Sequence, residues 1–294
     1  MGMTMRRVDK RLANGEGVLI TGCSSGIGRH AALALAGQGF TVFATVRREA
    51  DAESLRDLNI PGLVLVRPVD LADPEDASQA AAFVAAELAR RGKNGLYALI
   101  NNAGAGRPMP VELLPLAEFH TELRARVLGS VALVQALLPL LRRAGGRIVW
   151  IMTPALIPTP YVAAIHACDF AVNCVARTLD IELKPWRIPN IMIRCGGIRT
   201  PAGLRTVSDV EAVLRDGPPD RVSLYEGALR KWAEDMAAFN EKRTEAAKVA
   251  EVIVRAVTAK KPKRRYSIGH MAKAAALLES LPQPVADRIL RRRF

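Results

Sequence analysis

Short apolar runs alternate with amphipathic stretches along most of this chain. Gly17–Thr21, Thr41–Val46, Gly62–Pro68, Leu96–Ile100, Arg147–Met152 and Asn190–Arg194 are near-continuous apolar runs of strand length. Between them, His30–Gly37, a stretch from Asp73 to about Arg91, a long stretch from about Ala117 to Arg142, and Val162–Leu183 read as helices. Asp73-Pro74-Glu75-Asp76 marks a helix start. It supplies an oxygen cap, a proline whose missing N–H is no loss at the first position, and acids in the first turn. Strands without polar alternation, most of them followed by a helix, predict a parallel sheet covered on both faces: a doubly wound, three-layer αβα fold. Pro201 to Thr244 breaks the rhythm, being helical in composition with a break at Gly217-Pro218-Pro219. Following the sixth strand, it is expected to overhang the carboxyl ends of the strands, where such sheets bind ligands. Glu245–Thr258 reads as a further helix.

With 294 residues, half of them hydrophobic, the chain can bury a full core. No linker or composition shift divides it, so one domain is expected over 15–294, after a basic, frayed segment 1–14. Within it, 201–244 forms a substrate-side helical insertion and 260–294 a basic C-terminal segment. Cys23, Cys168, Cys174 and Cys195 show no Cys-x-x-Cys spacing, so a reduced, cytoplasmic protein and no metal site are expected. Residues 148–165 lack charge, but Pro154, Pro158 and Pro160 favour a strand and an apolar loop over a membrane span. Val131–Leu141 is too short to span. The net charge of +13 gathers in Lys260–Arg265 and Arg291–Arg293. It reads first as a solvated basic surface and second as a weak contact for a peripheral membrane or anionic surface. Nucleic acid is not an expected partner, because no nucleic-acid motif accompanies the charge.

Four signals of one kind follow the apolar runs in order. Thr21-Gly22-Cys23-Ser24-Ser25-Gly26-Ile27-Gly28 follows the first run, Asp70 the third, Asn101-Asn102-Ala103-Gly104 the fourth and Gly196-Gly197-Ile198-Arg199-Thr200 the sixth. Glycines between a strand and a helix let the backbone approach a pyrophosphate, and the helix amino end favours its charge. Together these motifs resemble the short-chain dehydrogenase/reductase family over roughly residues 15–294. The glycine motif, Ala44-Thr45-Val46-Arg47 and the ending Arg265–Gly269 with Leu281-Pro282 are similar to its 17β-hydroxysteroid and retinol dehydrogenase branch. The resemblance implies a Rossmann-type sheet and a nicotinamide cofactor on Gly22, Ser24, Ser25, Gly26, Ile27 and Gly28. It further implies Asp70 at the adenine, Asn101, Ala103 and Gly104 at the adenine ribose, and Ile198 and Thr200 at the nicotinamide amide. Cys195 stands where the family usually has proline. The second run ends in Arg47 and Arg48 with no acid, which favours NADP(H) over NAD(H), because a guanidinium pairs with a 2′-phosphate.

The family's reaction uses a tyrosine proton donor, a lysine four residues on, a serine and an asparagine. Phe170-Ala171-Val172 and Leu179–Leu183 set the register and place Ile165 at the tyrosine position and Asp169 at the lysine position. Gly146–Val149 place the serine at Thr153 or Pro154, and Arg126-Val127-Leu128-Gly129 place the asparagine at Arg126. Tyr161 reads as a pocket wall or a compensating donor, His166 as a packed or hydrogen-bonded helix residue or an acid, and Cys168 as buried. Arg126 and Asp169 would face each other, so an ion pair between them is expected, since either charge buried alone would be costly. Thr153, Tyr161, Asp169 and Arg126 are therefore the candidate catalytic residues. Two functions fit. One is an NADP(H)-binding enzyme of atypical redox or non-redox chemistry on a small, mostly apolar molecule in a biosynthetic pathway. The other is an inactive nucleotide-binding partner subunit or sensor, which extends to no cofactor being used in function. A homodimer, or a heterodimer with a relative, is the expected assembly.

Overall fold

The protein is described by a computed structural model covering residues 15–104 and 106–293; segment 1–14 lies outside the described residues. Seven strands pair in parallel: β1 (Gly17–Ile20), β2 (Thr41–Ala44), β3 (Leu63–Leu65), β4 (Leu96–Asn101), β5 (Arg147–Met152), β6 (Asn190–Cys195) and β9 (Arg265–Ile268). Their order is β3-β2-β1-β4-β5-β6-β9. The order reverses between β1 and β4, which opens a crevice at the carboxyl ends of those two strands. This is a Rossmann-type αβα arrangement.

One face of the sheet carries α1 (Gly26–Ala36) and α10 (Ala246–Thr258), packed on Val18, Ile20, Val42, Val149, Ile191 and Ile193. The other carries α3 (Pro74–Arg90), α5 (Gly129–Ala144) and α6 (Ala163–Glu182), packed on Leu19, Phe43, Leu99, Ile148 and Trp150. Alternate strand residues therefore serve opposite apolar layers, which is why the strands lack polar alternation. Asp73 caps α3 by accepting from the Glu75 N–H at 3.0 Å, with Pro74 at the first helical position.

The stretch read as one helix from Ala117 runs from Leu116 to Ala144, but it is not uniform. α4 (Leu116–Glu122) passes into a π-helical turn, Leu123–Leu128, before α5 begins. By length and composition this helix could cross a membrane. Here Leu133, Leu137 and Leu141 face the core.

The inserted segment forms α7 (Pro201–Leu204), α8 (Thr206–Asp216) and α9 (Pro219–Glu241), broken at Gly217-Pro218 as expected. Val210, Leu229 and Trp232 pack with Met109 and Tyr161, from the loops that follow β4 and β5. The insertion thus packs against the loops that follow β4 and β5. A short parallel pair, β7 (Ile198–Arg199) with β8 (Thr244–Glu245), closes its base.

Some elements lie beyond the sequence expectation. α2 (Glu49–Arg56) is short and polar, and buries only Ala52 and Leu55. β9 lies within the basic C-terminal segment and is only partly buried as an edge strand, so neither its charge nor its pattern resembled the inner strands. α11 (Ala272–Glu279) and α12 (Gln283–Arg293) complete the chain.

Candidate functional site

The turn after β1 is shaped by close backbone approach. Gly22 (φ 71°) and Gly26 (φ 54°) occupy the left-handed region. A Cβ on Gly28 would fall 2.2 Å from the Gly22 carbonyl oxygen. Thr21 Oγ1 accepts from the N–H groups of Asn102 (2.9 Å) and Ala103 (3.0 Å). Asn102 Nδ2 donates to the carbonyls of Thr21 (2.9 Å) and Gly22 (3.2 Å). Asn102 is therefore the latch between the glycine loop and the β4 loop. It stood inside the Asn-Asn-Ala-Gly motif without being assigned a role.

Asn101 is buried, and both amide atoms of its side chain lack a hydrogen-bond partner among the described residues. A native buried amide of this kind calls for a ligand or water to satisfy it. Ser25 stands at the start of α1 without a side-chain cap, so its hydroxyl is not engaged with the first-turn N–H groups. Ser24 is half-buried beside it. Ile27 packs partly into the core. With a cradle that any Cβ at Gly28 would fill, and an unsatisfied amide beside it, these residues fit a nicotinamide dinucleotide. Gly22, Ser24, Ser25, Gly26, Asn101 and Ala103 would hold it.

Other expected contacts carry qualifications. Asp70 is exposed after β3, and its Oδ1 accepts from the Ala72 N–H at 3.0 Å. Ile198 is buried: its side chain lies under Gly269, and its carbonyl accepts from Arg243 at 3.3 Å. Its side chain is therefore not presented to the crevice. The Thr200 hydroxyl caps α7 by accepting from the Gly203 N–H at 3.0 Å, while its methyl group faces Gly26. Arg47 is exposed. Arg48 is committed to Asp51 through two hydrogen bonds of 2.9 and 3.0 Å.

Next to this cradle lies a buried charged cluster. Arg126 Nη1 donates to Asp169 Oδ1 at 3.1 Å, and Arg126 Nε lies 3.6 Å from Glu122 Oε2. The other Asp169 oxygen accepts from the Thr153 N–H at 2.7 Å. Asp169 is 2% exposed and Arg126 14%. Burial pulls the Arg126 pKa down most strongly, but Asp169 and Glu122 more than offset it, so the guanidinium's pKa is raised and it stays charged. A Cβ on Gly104 would fall 2.5 Å from Arg126 Cζ, so the missing side chain is what admits the guanidinium. Arg126 itself sits on the π-helical turn.

Ile165 packs on Gly106 (φ 135°), where a Cβ would meet Ile165 Cγ1 at 2.6 Å. Thr153 is half-buried, and its hydroxyl donates to the Ala155 carbonyl at 3.4 Å. His166 Nδ1 lies 3.0 Å from the Ile157 carbonyl, and its ring stacks on Phe170. Burial, above all, lowers the His166 pKa. Tyr161 (φ 66°) meets Trp232 edge-on at 5.6 Å and accepts through its carbonyl from the Met109 N–H. Its ring thus packs against the insertion. Cys168 is fully buried, with its thiol pushed up to about 11 mainly by that burial.

A cavity of about 330 Å³ opens beside the charged cluster, between Gly106, Leu114, Thr121, Glu122 and Ala164, with the Arg107–Glu118 ion pair on its rim. A larger cavity of about 490 Å³ lies between Glu16, Lys93, Tyr97 and Arg143. It is at the amino ends of the strands, remote from the glycine loop. No group of His, Cys, Asp or Glu suited to a metal occurs among the described residues.

A family model described as short chain dehydrogenase matches residues 16–210. The sheep protein "11-beta-hydroxysteroid dehydrogenase type 2" is 31% identical over 274 residues, covering 86% of this chain. This chain spans 60% of that relative's length. The Escherichia coli K12 protein "Uncharacterized oxidoreductase YbbO" is 33% identical over 94% of both chains. A crystal structure of a short-chain dehydrogenase from Streptomyces avermitilis superposes with a TM-score of 0.71 at 24% identity, covering 95% of this chain and 97% of that one. The last of these bears on the fold alone.

Proposed function

The chain belongs to the short-chain dehydrogenase family, and on that premise we propose an NADP(H)-binding enzyme that acts on a small, mostly apolar molecule in a biosynthetic pathway without the family's tyrosine proton donor. The carrying observation is the Arg126–Asp169–Thr153 connection beside the cofactor cradle. At the proton-donor position, Ile165 offers no proton. One helical turn on, Asp169 spends both oxygens on Arg126 and the Thr153 backbone. A bound nicotinamide cofactor would supply or accept hydride. The residues around it supply orientation and an apolar wall formed by Met109, Tyr161 and Trp232. A proton, where the reaction needs one, comes from water or from an acidic group of the substrate. Cyclisation, dehydration or isomerisation needs no net redox change and suits the same site.

Preference for NADP(H) rests on Arg47, because Arg48 is held by Asp51. Four free cysteines support a reduced, cytoplasmic setting. Pairing with a second copy or a relative is part of the same reading. The alternative of an inactive partner subunit or sensor draws on the same ion pair, since a carboxylate that is 2% exposed and held by Arg126 and the Thr153 N–H is withdrawn from a substrate.

NADPH titration followed by a broad turnover panel tests the reading. Saturable NADPH binding with little ketone reduction is expected. Arg47→Glu should weaken NADPH by roughly ten- to a hundredfold, the range for losing a charge-assisted contact, and leave NADH nearly unchanged. The set Arg126→Asn, Ile165→Tyr and Asp169→Lys should create carbonyl reductase activity. Arg126 must change as well, because it would repel the new lysine. Brisk ketone reduction by the unaltered protein, or no NADPH binding, would overturn the reading.

A further inference from the structure

More than half of the chain's net positive charge sits in its last 35 residues. Residues 260–294 hold ten Lys or Arg and two Asp or Glu, a net +8 of the total +13. Two of these cations are paired: Arg264 with Asp180 at 3.1 Å and Arg265 with Glu279 at 2.6 Å. Lys260, Lys261, Lys263, Arg288, Arg291 and Arg292 are exposed and form no ion pair among the described residues.

Those charges share a surface with exposed aliphatic side chains. On α12, Val285, Arg288, Ile289 and Arg292 fall at the i, i+3, i+4, i+7 positions of one helical face. Ala286 turns inward, while Val285 is 42% and Ile289 44% exposed. Leu277 on α11 is 67% exposed. The Arg265–Glu279 pair brings the end of α11 to the start of β9. The basic loop 260–264 and the start of α12 therefore gather at the amino ends of the strands, away from the glycine loop.

We propose that α12, with the basic loop beside it, docks on the surface of an anionic lipid bilayer. Water rewards the arginines but not Val285, Ile289 and Leu277. A phosphate backbone would likewise leave the aliphatic groups unburied. At an anionic bilayer the aliphatic side chains enter the acyl boundary, while the arginine stems lie along it and place their guanidinium groups among the headgroups. Two valine- or isoleucine-sized groups are too few to hold a protein alone, so charge and apolar contact are both required. Docking at the amino ends leaves the crevice at the carboxyl ends open.

The test is co-sedimentation of the full chain with phosphatidylcholine vesicles, with and without about 30% phosphatidylserine, at roughly 0.1 M salt. Binding only to the anionic vesicles, weakened by added salt, is expected. Arg288→Gln with Arg291→Gln and Arg292→Gln should lower partitioning about a hundredfold, at roughly fivefold per charge. Val285→Ser with Ile289→Ser keeps the charge and should still lower it about tenfold. All five side chains are exposed, so circular dichroism and thermal unfolding should match the unaltered chain. Equal binding to neutral vesicles, full binding by the serine variant, preference for duplex DNA in competition, or a self-association abolished by the serine variant would overturn the proposal. None of these readouts depends on NADPH.

Discussion

Arg126 and Asp169, 43 positions apart, meet at 3.1 Å between the π-helical turn and α6. Each is nearly buried, and their charges have opposite signs. Neither charge would be tolerated there alone. The pair also ties Thr153, at the end of β5, to both helices, because the second Asp169 oxygen holds its N–H.

Asp169→Ala takes from the Arg126 guanidinium its nearest carboxylate and frees the Thr153 N–H. Removing one partner of a buried pair is expected to cost about 3–5 kcal/mol. Replacing both, as Arg126→Met with Asp169→Leu, should cost much less than the sum of the single changes. Urea unfolding of the two single variants and the double variant measures this coupling.

Gly28→Ala would place a methyl group 2.2 Å from the Gly22 carbonyl oxygen, which is backbone and cannot swing aside. The loop or the start of α1 must shift, at roughly 1–3 kcal/mol. NADPH affinity should fall by at least about tenfold if the loop holds the cofactor. Unchanged affinity in a fluorescence titration would place the cofactor elsewhere.

His166 lends a pH dependence with a definite sign. Its folded pKa is lowered, chiefly by burial, from an ordinary 6.5. Below that value the unfolded chain binds a proton that the folded chain resists, so stability is full above about pH 6.5 and declines as pH falls. His166→Gln can keep a donor toward Ile157 and should flatten the decline as pH falls below about 6.5. Denaturation midpoints across that range provide the check.

Thiol labelling separates the four cysteines. Burial, the largest influence in each case, pushes Cys23 and Cys195 up to about 12 and Cys168 to about 11, while Cys174 is exposed. Only a thiolate reacts appreciably. Native protein treated with iodoacetamide near neutral pH should be modified at Cys174, and all four should react in denaturant. Rapid native labelling of Cys168 would contradict the packing of α6 on the sheet.

The sequence by itself determined the features that depend on neighbours along the chain. Strand and helix alternation, the Asp73 cap, the glycine turn and the break at Gly217-Pro218 follow from side-chain periodicity and backbone freedom. Such local preferences act within a few residues. It also carried both charges of the Arg126–Asp169 pair, because register against surrounding motifs placed them on facing helices. Only the tertiary structure decided which groups remained available. The Ile198 side chain went into the core, and Tyr161 lay against Trp232. It likewise made Asn102 the latch between two loops and left the Asn101 amide without a partner among the described residues. The polar, partly buried strand β9 gained its place by pairing with β6. These outcomes arise because a buried polar group takes its partner from whatever the fold brings near, and those neighbours stand tens of residues away in the chain.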